Sequence, residues 1–140
     1  MKKITLFIFA LSSLLGLSQP TTNAPTPTKA PADVVSIYGE TYTSIATNFN
    51  PNWGQSGFCC VNPTYNPTGV TGTGQNLALA YPTFNYQGTE LTQTNAANME
   101  FLHVDVWTSA NPATSTLQVS PINNGTGATE TLVTIPFTSG

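Results

Sequence analysis

Charge is what this sequence has least of. Of its 140 residues, 6% are charged, against about 25% in an average soluble domain. Arginine is absent, and the only cations are Lys2, Lys3 and Lys29. With 6 acidic residues the net charge is −3. Such a chain has no basic surface to neutralise phosphates, so nucleic acid is excluded as a partner. A coiled coil with charged flanks is excluded too. Good helix formers are also scarce. The chain carries 24 Thr, 13 Asn, 11 Gly and 11 Pro, all of them poor in helix interiors, which excludes a long helical bundle. Aromatic residues reach 10%, and disordered chains are usually depleted in them. The length allows one domain.

What is present starts with an export signal. Lys2 and Lys3 precede an apolar run over residues 4–17, with Gly16 and Ser18 as small residues near its end. This pattern reads as a secretory signal peptide over residues 1–19. The run is shorter than the roughly 20 apolar residues that span a bilayer. No membrane span is therefore expected after its removal. No cysteine follows the run, so lipid attachment there is not expected either.

Residues 20–32 read PTTNAPTPTKAPA. Proline fixes φ and removes a donor, so this stretch is extended and serves as a Pro/Thr-rich linker or lead-in. From Asp33 the pattern is all-β. Strands are expected over 34–38, 76–81, 83–88, 101–108, 116–122 and 131–137, separated by Gly, Pro and Asn clusters. Short strands at such spacing point to a two-sheet antiparallel sandwich or a barrel over 33–140. Residues 50–74 read mostly as loop. Residues 95–100 are the one helix-like turn, with Asn95 as its candidate cap.

The most informative run is Phe101-Leu102-His103-Val104-Asp105-Val106-Trp107. Successive residues of a strand face opposite sides. Leu102, Val104 and Val106 then form one apolar face, and Phe101, His103, Asp105 and Trp107 share the other. An indole, a carboxylate and an imidazole in one row suit a sugar, whose ring stacks while its hydroxyls hydrogen-bond. The competing reading is structural: Trp107 covers an apolar edge, and His103 and Asp105 pair with each other or a neighbouring strand. Trp53 in Asn-Trp-Gly-Gln and Tyr86 in Asn-Tyr-Gln-Gly each stand beside amides that donate and accept. Both also fit plain packing roles.

Other chemistry is thin. Cys59 and Cys60 are adjacent. Neighbouring Cα atoms lie about 3.8 Å apart, below the usual disulfide span of about 4.4–6.8 Å. A strained vicinal bridge, an intermolecular bridge and a buried reduced pair all stay open. These cysteines and one distant His lack zinc spacing. Glu90, Glu100, Asp105 and Glu130 stand in no recognisable pair for glycoside hydrolysis. No Gly-x-Ser-x-Gly elbow or Cys–His pair accompanies the single histidine. Asp33 and Glu100 are the candidates for a structural calcium, as hard oxygen ligands.

The series APADVVSIYGETYT, NFNPNWGQ, NYQGTEL and NAANMEFLHVDVWT resembles a recurring domain of secreted bacterial proteins that process polysaccharides. The chain is similar to jelly-roll carbohydrate-binding modules of the galactose-binding-like type, from Ala30 to about Gly140. The resemblance implies a two-sheet β-sandwich (jelly roll) and frequently a structural calcium. It implies sugar contacts on a sheet face or at loop tips, and often a linked glycoside hydrolase domain. Trp53, Tyr86, His103, Asp105 and Trp107 lie in the matching motifs. Related domains continue past the strand ending near Phe137, so either the sandwich here lacks its last strands or this chain completes its sheet differently. The function expected is a secreted, non-catalytic module for a polysaccharide such as a β-glucan. The alternative is a structural or adhesion spacer.

Overall fold

The computed structural model describes residues 19–53, 60–82, 84–111, 113–123, 127 and 130–136. Two compact units divide the chain. One is Gln19–Trp107, and the other contains Thr108–Gly140. Residues 1–18 of the expected signal peptide, Cys59, Thr83 and the chain end from Phe137 lie outside the described residues.

The described structure is all-β, built from six short strands in three antiparallel pairs. The strands are β1 Thr47–Asn48, β2 Asn62–Tyr65, β3 Ala78–Ala80, β4 Glu90–Leu91, β5 Leu117–Val119 and β6 Val133–Ile135. In the first unit β1 pairs with β4, Thr47 opposite Leu91 and Asn48 opposite Glu90. The Thr92 amide donates to the Ala46 carbonyl at 2.9 Å and extends that ladder. β2 pairs with β3 through an irregular register, Asn62 opposite Ala80 and Tyr65 opposite Ala78. In the second unit β5 and β6 pair in regular register, with Gln118 opposite Thr134. Leu117 and Val119 are half-buried while Gln118 is exposed, the period-two pattern of a strand with one covered face.

Turns carry much of the hydrogen bonding, and asparagine supplies it. The side-chain oxygens of Asn48, Asn62, Asn95 and Asn111 each accept from the backbone amide two residues on. Asn66 accepts from the Gly69 amide at 2.9 Å and donates to the Val70 carbonyl at 2.8 Å. These local bonds imitate a backbone turn and compete with regular structure. Between β2 and β3 the chain turns at Gly72 and Gly74, whose φ values of 73° and 87° lie in the left-handed region. That region costs glycine no steric penalty.

Residues 20–32 are extended as their prolines require, and end in a 3-10 turn at Pro31–Asp33. They are also held to the rest of their unit. Asn23 donates to the Gly74 carbonyl at 3.2 Å, and Tyr42 donates to the Lys29 carbonyl at 2.8 Å.

Val61, Pro51 and Pro67 are the buried apolar residues among those described. Val61 is fixed by the Asn50 amide. Its N–H donates to Asn50 Oδ1 at 2.7 Å, and its carbonyl accepts from Asn50 Nδ2 at 3.1 Å. The side chain thereby takes the place of a strand partner between β1 and β2. Beside it Tyr38 meets Phe49 edge to face, centroids 5.5 Å apart, and the Tyr38 hydroxyl donates to the Pro63 carbonyl. Buried Ser36 shares a 3.0 Å hydroxyl contact with Ser44.

Several expected strands do not form. Residues 101–108 form none: no backbone group of 101–107 is hydrogen-bonded among the described residues. Residues 34–38 contribute a single bridge, from Ser36 to Ser44. The described part of 83–88 is irregular. Alternation supplies a strand with two faces but no partner edge, and β-preference depends on that partner. Conversely, β1, β2 and β4 form where no strand was expected. Residues 95–100 make a turn, with Asn95 Oδ1 accepting from the Ala97 amide. Cys60 is exposed and disulfide-bonded, which removes the buried reduced pair.

Two outcomes follow. Asn50→Ala deprives a buried N–H and C=O of their partner and costs about 1–3 kcal/mol in urea unfolding. Asn50→Asp keeps the acceptor, but sets a carboxylate against the Val61 carbonyl and is also destabilising. Burial, and secondarily Glu40, push the Tyr38 phenol up from 10.0 to about 12. A folded-state value above the unfolded one means stability fully present below about pH 10 and lost as pH rises through about 12. Tyr38→Phe therefore flattens the alkaline limb of stability against pH, measured by urea midpoints from pH 8 to 12.

Candidate functional site

Trp53 and Tyr86 come from separate turns of the first unit, and the structure brings their motifs together at Gly88. A Cβ on Gly88 would fall on the six-membered ring of Trp53, at Cζ3 and Cη2. The indole therefore rests directly on the Gly88 backbone, an approach only glycine allows. Gln87 fixes this shelf. Its Nε2 donates to the Phe49 carbonyl at 2.9 Å and to the Gly88 carbonyl at 2.7 Å. That amide nitrogen is thus committed to positioning the turn. Trp53 remains 60% exposed and Tyr86 49% exposed. An indole held by its backbone contact yet open to water is a platform on which an apolar ring face can stack.

His103, Asp105 and Trp107 lie at the end of the same unit. His103 Nε2 stands 3.3 Å from Asp105 Oδ2, with both side chains exposed. This i, i+2 contact agrees with their shared side of an extended backbone, and it is also the mutual pairing of the structural reading. Trp107 is 47% exposed. The contacts described join Trp53 to Gly88 and His103 to Asp105. Two parts of the expected five-residue site are thus described, Trp53 on Gly88 and His103 beside Asp105.

Sequence reasoning missed a third feature. An open groove of about 310 Å³ is lined by Tyr38, Glu40, Thr47, Phe49, Pro63 and Leu77, among others. It is at the small end of the range for small-molecule sites, about 300–1,000 Å³. The Leu77 amide donates to Glu40 Oε1 at 2.8 Å, which holds that carboxylate at the rim. The Gln87 bond to Phe49 ties the groove wall to the Trp53 shelf. Contacts between distant positions make these walls, Tyr38 with Phe49 and Pro63 and Leu77 with Glu40, and nothing local in the sequence marks them.

Asp33 and Glu100 are both exposed. No group of three His, Cys, Asp or Glu side chains that could hold a metal occurs among the described residues. No helix among the described residues is long and apolar enough to cross a membrane. Comparison with protein families, curated proteins and solved structures finds no match to the chain.

The Gly88 contact gives a direct test. Gly88→Ala places a methyl group where the Trp53 ring lies, so the ring must leave its shelf. In a Trp107→Phe background, where Trp53 is the one remaining indole, Gly88→Ala should red-shift the emission and raise acrylamide quenching about twofold. Unchanged emission would show that the ring does not rest on Gly88.

Proposed function

We propose that the chain is a secreted, non-catalytic carbohydrate-binding module of jelly-roll β-sandwich type. It holds a polysaccharide such as a β-glucan and so concentrates a linked glycoside hydrolase or surface protein on it. The observation that carries this reading is the exposure of Trp53, Tyr86 and Trp107 together. Burial of all three would have removed it. Open rings offer stacking faces, and the few charges match a neutral ligand whose hydroxyls prefer amides and single carboxylates. Trp53 on its Gly88 shelf is the principal stacking platform, and Tyr86 flanks it. His103, Asp105 and Trp107 form a second contact row. The groove beside Tyr38 and Phe49 is a third place for a sugar ring.

An adhesion or spacer domain is the second reading, and one observation favours it. The run 101–107 exposes apolar side chains on both of its sides, and contiguous exposed apolar surface marks interaction sites.

Affinity electrophoresis of the secreted protein through gels containing β-glucans, xylans or mannans tests the first reading. Retardation by at least one glycan is expected. Trp53→Ala should weaken it about tenfold, the equivalent of about 1.4 kcal/mol, because exposed aromatic anchors dominate binding energy. Tyr86→Ala and Trp107→Ala should weaken it less. A folded protein that no glycan retards would leave the adhesion reading in its place.

A further inference from the structure

The run Phe101-Leu102-His103-Val104-Asp105-Val106-Trp107 is a strand in pattern without a partner in the described chain. Its alternating β-branched and aromatic residues suit a pleated surface. Its backbone makes no hydrogen bond among the described residues. Phe101 is 88% exposed, and Leu102, Val104, Val106 and Trp107 are all exposed. A row of unpaired N–H and C=O groups is a template for another strand.

The order of the side chains says which strand. Reversed and laid against itself about Val104, the run sets Phe101 opposite Trp107, Leu102 opposite Val106 and His103 opposite Asp105. Each cross-strand pair is then matched in kind: aromatic with aromatic, aliphatic with aliphatic, imidazole with carboxylate. Such pairs are the unit of sheet stabilisation. Neighbouring registers lose this match. Centring the pair on Asp105 sets two carboxylates opposite each other, which is destabilising. Centring it on His103 sets two imidazoles together and leaves Asp105 against Phe101. A slip of one residue sets His103 against Val104 and mixes the apolar and polar rows.

We propose that segment 101–107 is a self-recognition strand, and that two copies of this chain pair through it, antiparallel, about a two-fold axis at Val104. The interface is isologous: each copy offers the same surface, and His103 of each meets Asp105 of the other. The 3.3 Å contact within one copy and the contacts across the pair close a ring of two imidazoles and two carboxylates. On the opposite face Leu102, Val104 and Val106 of both copies form one apolar ridge. The pairing is independent of the sugar-binding reading.

Sedimentation velocity of the intact secreted protein over a hundredfold concentration range tests it. A reversible monomer–dimer equilibrium is expected. Val104→Pro removes a ladder donor at the centre of the pair and should abolish the dimer. It breaks no backbone bond within the described chain, so far-UV circular dichroism should stay unchanged. His103→Asp sets like charges opposite each other at two symmetric positions and should weaken association at least tenfold. Adding Asp105→His to His103→Asp exchanges the pair and should restore association to within about threefold. A protein that stays monomeric throughout would overturn the proposal. So would a dimer indifferent to Val104→Pro, or a double exchange that rescues nothing.

Discussion

The first unit depends on one amide. Asn50 closes on Val61 with both a donor and an acceptor. It fastens the end of β1 to the start of β2 where no strand ladder runs between them. Val61 is 4% exposed, so its peptide groups would otherwise lack water as well as a partner, the costly case for a polar group. The same short stretch leads from Asn50 through Pro51 to Trp53, and Phe49 on its other side carries the Gln87 bond. One side chain thus sets both the packed centre and the entry to the Trp53 shelf.

This arrangement explains how a chain with few charges and a small described core keeps defined loops. Burial of apolar surface ordinarily dominates folding. Here most of the large apolar side chains described remain open or half-open, and short-range bonds from Asn, Thr and Tyr side chains fix the backbone instead. Each such bond contributes about 0.5–1.5 kcal/mol net. The abundance of Asn, which first served to exclude helices, is the source of the turns. The few strands are short because these turns interrupt the chain.

Local chemistry was legible in the sequence, and partnership was not. Ala78–Ala80, Leu117–Val119 and Val133–Ile135 fall within expected strands, because each combines alternation with turn residues at both ends. The Asn95 turn was legible for the same reason. Asn62–Tyr65 was hidden because Asn-Pro-Thr-Tyr reads as loop, and a proline is tolerated only where its missing donor is not needed. Segment 101–108 carries the clearest strand pattern and forms no strand, since a pattern names faces but not the neighbour that completes them. Trp53 and Tyr86 were found as aromatics beside amides. The contact that organises them, indole on Gly88, is non-local and leaves no periodic trace. Gln87 stood among the amides read as sugar partners, yet its nitrogen serves the backbone.

The proposed sugar binding and the proposed self-pairing would meet on one row of side chains. In an antiparallel pair, directly opposite residues share a face. The two copies of Phe101, His103, Asp105 and Trp107 would therefore lie side by side, with the aromatic residues at both ends and the imidazole–carboxylate ring between them. A single exposed row offers a glycan one indole, whereas the paired rows offer two, at a spacing fixed by the strands. Linked sites raise avidity without any new contact when the ligand can span them, and a polysaccharide chain is such a ligand. On this view the exposed apolar residues of 102–106 and the open Trp107 have one explanation. The apolar row stabilises the pair, and the polar and aromatic row is left outward for the polymer. A short, weakly charged domain would in this way gain from assembly the binding surface that its own few strands do not provide.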